Sequence, residues 1–118
     1  MRRKTGELVP LEVSILEASV ALAGRGIAEA HGFQLAKEIR DGDGAKRLTA
    51  YGTLYKALDR LARVGYLASR WEDPHVAAQD SRPRRRFYWT TTVGEVALNE
   101  AHRSMAETRG RRPAAAQP

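Results

Sequence analysis

The chain has 118 residues, 42% of them hydrophobic, which suits one domain with a modest core that would gain from dimerisation. Twenty Lys and Arg against fourteen Asp and Glu give a net charge of +6 and a pI near 10.2, the balance of a protein attracted to polyanions. Without cysteine, disulfides, thiolate metal sites and cysteine nucleophiles are excluded, and no apolar run reaches the ~20 residues of a membrane helix, so a soluble cytoplasmic protein is expected.

Residues 1–7 are polar and expected to be flexible. From Leu8 to Ala23 the residues Leu11, Val13, Ile15, Leu16 and Val20 spread over more than one stripe, the pattern of a helix contacted on two sides. Gly24-Arg25-Gly26 ends that helix, and a short helical piece is expected over 27–30. A second helix is predicted over Gly32–Arg40, where Phe33, Leu35, Ala36 and Ile39 keep helical spacing. Asp41-Gly42-Asp43-Gly44 follows as a turn cluster, a better account of it than a metal site. A third helix is predicted over Ala50–Val64, with Thr49 able to cap it and Gly65 to stop it. Leu54, Leu58 and Leu61 share a narrow arc of this helix, while Gly52, Thr53, Lys56, Asp59, Arg60 and Arg63 fall on the other side.

The period then changes. Leu67, Ser69 and Trp71 alternate with Ala68, Arg70 and Glu72, as in a strand. A polar loop over 73–83 leads to a second strand, Arg85–Thr90, carrying Phe87, Tyr88 and Trp89. The two strands make a hairpin. Thr91 or Thr92 can cap a last helix running to Thr108, with Val93, Val96, Ala97, Ala101 and Met105 as its apolar stripe. Residues 109–118, rich in Arg, Pro and Ala, read as a disordered basic tail.

Three helices, a hairpin and a closing helix define an α+β, mainly α fold: a winged helix-turn-helix. Residues 1–91 would form the DNA-binding domain and 92–108 a dimerisation helix, which so small a domain cannot cover alone. In this arrangement the helix over 50–64 enters the major groove. Thr49, Tyr51, Gly52, Thr53, Tyr55, Lys56, Arg60 and Arg63 are the residues expected to meet the duplex there. Arg82, Arg84, Arg85 and Arg86 on the hairpin would hold phosphates or a minor groove. A solvated helix face and a solvated charge run are the plainer readings of the same residues, and a basic RNA or nucleoid binder is another.

Catalytic patterns are lacking: no phosphate loop, no His-Glu-x-x-His and no nucleophile–base pair, so a non-enzyme without cofactor or metal is expected. His31 reads as a structural hydrogen bond at the start of the second helix rather than a metal ligand. His75 falls in the polar loop, and His102 has no partner that the sequence identifies. Strand alternation places Leu67 with Trp71, and Phe87 with Trp89, favouring core tryptophans over an effector pocket.

Gly52-Thr53-Leu54-Tyr55, followed by Ala57-Leu58, Arg60-Leu61, Gly65 and Leu67, resembles the recognition-helix signature of PadR-type regulators. Ser69-Arg70-Trp71-Glu72, Arg84-Arg85-Arg86-Phe87-Tyr88, the Thr91 and Gly94 pair and His31-Gly32-Phe33-Gln34-Leu35-Ala36 resemble further parts of that family, together spanning residues 11–98. Tyr51 and Lys56 stand where many members carry proline, so no operator sequence carries over. The stretch 24–30 is also longer than the usual link. The resemblance implies a homodimeric repressor on a pseudo-palindromic operator of double-stranded DNA. Its subunit contact would use Leu11 and Ile15 of the first helix with Val93, Val96, Ala97, Ala101 and Met105 of the last. Some members release DNA on binding a small aromatic effector, for which the sequence designates no residues. The alternative is a winged-helix protein-interaction module that does not bind DNA.

Overall fold

A computed structural model describes residues 7–42 and 51–110. Helix α1, Pro10–Gly24, begins with a proline, which has no N–H to leave unpaired in a first turn. The Glu12 carboxylate accepts the Val9 N–H at 2.9 Å. The helix buries Val13, Ile15, Leu16, Ala18 and Leu22, and its neighbours include α2 (Gly32–Asp41), α3 (Tyr51–Arg63), β3 (Arg86–Thr90) and α5 (Thr92–Gly110). This central position explains its broad apolar surface. It also removes Ile15 from the expected subunit contact, because Ile15 is wholly enclosed in the chain's own core while Leu11 is half-buried.

The helical piece expected over 27–30 is absent. The chain instead forms a short strand, β1, Ala30–His31, antiparallel to β3, with Ala30 opposite Tyr88 and His31 opposite Phe87. A two-residue strand carries no periodicity to read. The wing is therefore part of a three-stranded sheet in the order β1-β3-β2, where β2 is Leu67–Trp71.

His31 then caps α2. Its Nδ1 accepts the Gln34 N–H at 3.4 Å, and the Gln34 side chain accepts the His31 N–H at 3.1 Å, a reciprocal capping box. Helix α3 turns Leu54, Leu58 and Leu61 entirely inward against Ile15, Leu16 and Leu35. It ends where Gly65 takes φ +87° and the Tyr66 N–H reaches back to the Leu61 carbonyl at 2.9 Å.

The segment expected as a plain polar loop contains a short helix, α4, Pro74–Gln79. Asp73 caps it by accepting the His75 N–H at 2.8 Å, and Ala77 anchors it. Its one buried apolar side chain gives no stripe by which to recognise a helix. The tryptophans also depart from expectation. Tyr88 is the buried aromatic of β3, Phe87 and Trp89 are half-buried, and Trp71 is 55% exposed. Burial along β2 fades from Leu67 to Trp71, because the strand runs off the helical core towards the wing tip.

Thr91 is the residue that caps α5. Its hydroxyl accepts the Gly94 N–H at 3.0 Å and donates to the Gly65 carbonyl at 2.6 Å. The helix continues to Gly110, so Arg109 and Gly110, expected in the tail, are helical. Leu98 faces the core, whereas Val93, Val96 and Met105 are exposed and Ala97 and Ala101 half-buried. His102, without a partner in the sequence reading, meets Glu17 of α1 at 2.7 Å. Among the described residues, no helix is long and apolar enough to cross a membrane.

Candidate nucleic-acid interface

The leucine seam leaves Gly52, Thr53, Tyr55, Lys56 and Arg63 exposed on the outer side of α3. Thr49 and the side chain of Tyr51 lie outside the described residues. Among the described residues, nothing lies within 4 Å of the position a Cβ on Gly52 would take. Tyr55 plays a different part. Its ring lies across Gly32, where a Cβ would come within 2.8 Å of it, and so locks α3 against the first turn of α2.

Arg60 does not belong with the outward residues. Its Nη1 donates to Glu12 Oε2 at 2.8 Å, and its Nη2 to the Glu7 carbonyl at 3.3 Å. The Glu12 side chain is only 3% exposed, and an anion so deeply set needs a cation beside it. Arg60 supplies it and is committed to the fold.

The wing arginines divide in the same way. Arg82 donates in bidentate fashion to Glu72, at 2.6 and 2.8 Å, and is mostly covered. Arg86 donates to Ser69 Oγ at 2.9 Å, lies 3.6 Å from Asp59 of α3, and rests between the rings of Trp71 and Tyr88. Both were expected at DNA, and internal bonds engage both. Arg84 donates from Nε to the Glu72 carbonyl at 3.0 Å and stacks over Trp71, which leaves its remaining donors outward. The exposed Arg85 side chain has no ion pair among the described residues. On the other sheet face, Arg70 is paired with Glu29 at 2.7 Å and lies over Phe87.

Charge follows this geometry. The bond from Arg82, with help from the Arg85 N–H, pulls Glu72 down to about 2 against the cost of its burial. His31 is pushed below the usual histidine value by burial first, then by Arg85 and Arg82, with Glu72 opposing. A neutral Nδ1 is what its cap requires. The unfolded chain takes up this proton at about 6.5 while the folded chain resists, so stability is full above that pH and falls as pH drops below it. The midpoint of urea unfolding is therefore expected to hold between about pH 8 and 7 and to decline below about 6.5. His31→Asn, which caps without titrating, should flatten that decline. An equal decline in the variant would show that other groups cause it.

Phe33, Tyr55, Trp71 and Arg84 to Arg86 line a cleft of about 550 Å³ between the two helices and the base of the wing. Sequence reasoning missed Glu12, Ser69 and Glu72 as organisers of the arginines around it. The sequence has fourteen acidic residues beside twenty basic ones, and nothing in it marks which acid or hydroxyl holds an arginine.

A helix with an open polar side beside an arginine-bearing hairpin is the general arrangement of a winged helix. The family model for the "Transcriptional regulator PadR-like family" matches residues 22–100, well over half of the chain. The chain belongs to the PadR family. Solved structures of similar fold include a PadR family transcription regulator from Clostridium difficile R20291. It has 20% identity and a TM-score of 0.66 over 86% of this chain and 93% of that one. A transcriptional regulator from Clostridium thermocellum shares 22% identity with a TM-score of 0.64, over 85% and 84% of the two chains. A Streptococcus mutans UA159 protein shares 19% identity with a TM-score of 0.56, over 87% and 84%. No curated protein matches the chain significantly. At these identities the PadR structures establish the winged-helix fold, here with its small three-stranded antiparallel sheet.

Proposed function

We propose that this PadR-family chain is a sequence-specific transcriptional repressor, not an enzyme, which binds a pseudo-palindromic operator as a homodimer in the cytoplasm. The observation that carries the reading is that Tyr55 and Asp59 of α3 and the exposed wing arginines Arg84 and Arg85 border the same cleft. Thr53 and Lys56 read base edges, Arg63 assists from the far end of the helix, and Arg84 and Arg85 hold phosphates. A second copy covers Val93, Val96 and Met105. It fills the groove of about 370 Å³ that Leu8, Pro10 and Val13 form with Ala97, Ala101 and Met105.

Selection of bound duplexes from a random pool, followed by salt titration on the selected sequence, tests this. A dimer touching about eight phosphates gives a log–log salt slope of about −7. Arg85→Ala should weaken all sequences alike and shallow the slope by about 2, one phosphate per half-site. Thr53→Ala and Lys56→Ala should change which sequences are preferred. Failure to enrich any sequence, or identical behaviour of the two kinds of variant, would overturn the reading.

A further inference from the structure

We infer that Glu72 is a positioning residue for nucleic-acid binding: a carboxylate on the DNA-facing side that strengthens the grip on an anion. The inference rests on the DNA-binding reading above and adds to it a residue with no direct contact to DNA.

Glu72 stands where β2 ends and the chain turns towards α4, and its side chain is 9% exposed. Oε1 accepts from Arg82 Nη1 at 2.6 Å and from the Arg85 N–H at 3.3 Å, while Oε2 accepts from Arg82 Nη2 at 2.8 Å. Its own N–H donates to the Arg85 carbonyl at 2.8 Å, and its carbonyl accepts from Arg84 Nε at 3.0 Å. One residue thus holds the chain at 82, 84 and 85 by side chain and backbone together.

Four arginines within five positions repel one another and resist a single conformation. Glu72 neutralises Arg82 and draws it inward, and the outward residues are then Arg84 and Arg85. The alternative is a loose basic segment that must be ordered each time it meets DNA, which costs affinity. Simple charge counting gives the opposite sign, because removing an acid near phosphates should tighten binding.

The deciding experiment compares two variants with the same charge change. Glu72→Gln is nearly isosteric. Asp80→Asn removes a carboxylate that is 61% exposed and meets the same Arg82 only at 3.3 Å. Operator affinity at fixed salt and tryptic cleavage after Arg84 and Arg85 are measured for both, with cleavage after Arg103 of α5 as an internal reference. Glu72→Gln is expected to lose about a hundredfold in affinity, about tenfold for ordering two arginines in each of the dimer's two wings, and to be cleaved about tenfold faster in the wing alone. Asp80→Asn should bind as tightly as the parent or more tightly, with cleavage unchanged. Glu72→Asp should fall between the parent and Glu72→Gln. If Glu72→Gln matches Asp80→Asn in both readouts, or if cleavage rises equally at Arg103, the inference is overturned. If the parent protein binds no DNA, the repressor reading fails by itself, and the cleavage pattern still decides whether Glu72 orders the wing.

Discussion

Arg60→Ala is expected to be the most damaging substitution on α3, and the damage should appear in stability before it appears in DNA binding. Removing the guanidinium leaves the Glu12 carboxylate buried, with the Val9 N–H as a remaining donor. Breaking a buried ion pair by removing one member costs about 3 kcal/mol. In a chain of this size that is a fall of about 12 °C in the thermal midpoint. The salt slope on operator DNA, measured well below the midpoint, should not change. The paired replacement Arg60→Met with Glu12→Leu, which removes both charges, should recover most of the loss. A variant Arg60→Ala that kept its midpoint and lost about 2 from the salt slope would return Arg60 to the phosphate contacts.

Gly94→Ala should be the second large effect, with a sign opposite to helix propensity. In the first turn of a free helix, alanine would be the better residue by about 1 kcal/mol. Here a Cβ on Gly94 would run into the Tyr66 carbonyl, which is backbone and cannot step aside as a side chain can. Overpacking of this kind costs about 2–3 kcal/mol. The same turn contains the Thr91 hydroxyl bridge to Gly65, so relief of the clash means moving α5 away from the end of α3. Thermal unfolding should report a less stable protein, and sedimentation a weaker form of the proposed dimer. An alanine variant as stable as the parent would mean that the approach of α5 to Tyr66 is loose.

Legibility in the sequence followed the range of the interaction. The leucine arc at 54, 58 and 61, the stop at Gly65 and the His31 cap are set by neighbours within one or two turns, and the structure has them as read. β1 and α4 were missed because two residues and six residues are too short for a period to emerge. The division of the arginines was not readable at all. Arg60 is claimed by a carboxylate 48 positions away, and Arg82 by one ten positions away across α4. A charge run shows how many cations are available, but their destinations depend on acids brought near by the fold. Trp71 illustrates the same limit. Alternation gave its side of the sheet, yet only the tertiary arrangement shows that the core stops short of it.

The strand β1 has a mechanical consequence. Ala30 and His31 are hydrogen-bonded to β3 of the wing, and His31 is also the cap of α2, whose first turn is clasped by Tyr55 of α3. Hairpin and α3 are thereby tied to each other through three successive contacts. In the proposed dimer, tolerance for longer or shorter gaps between half-sites would then have to come from flexing at the junction of the two copies.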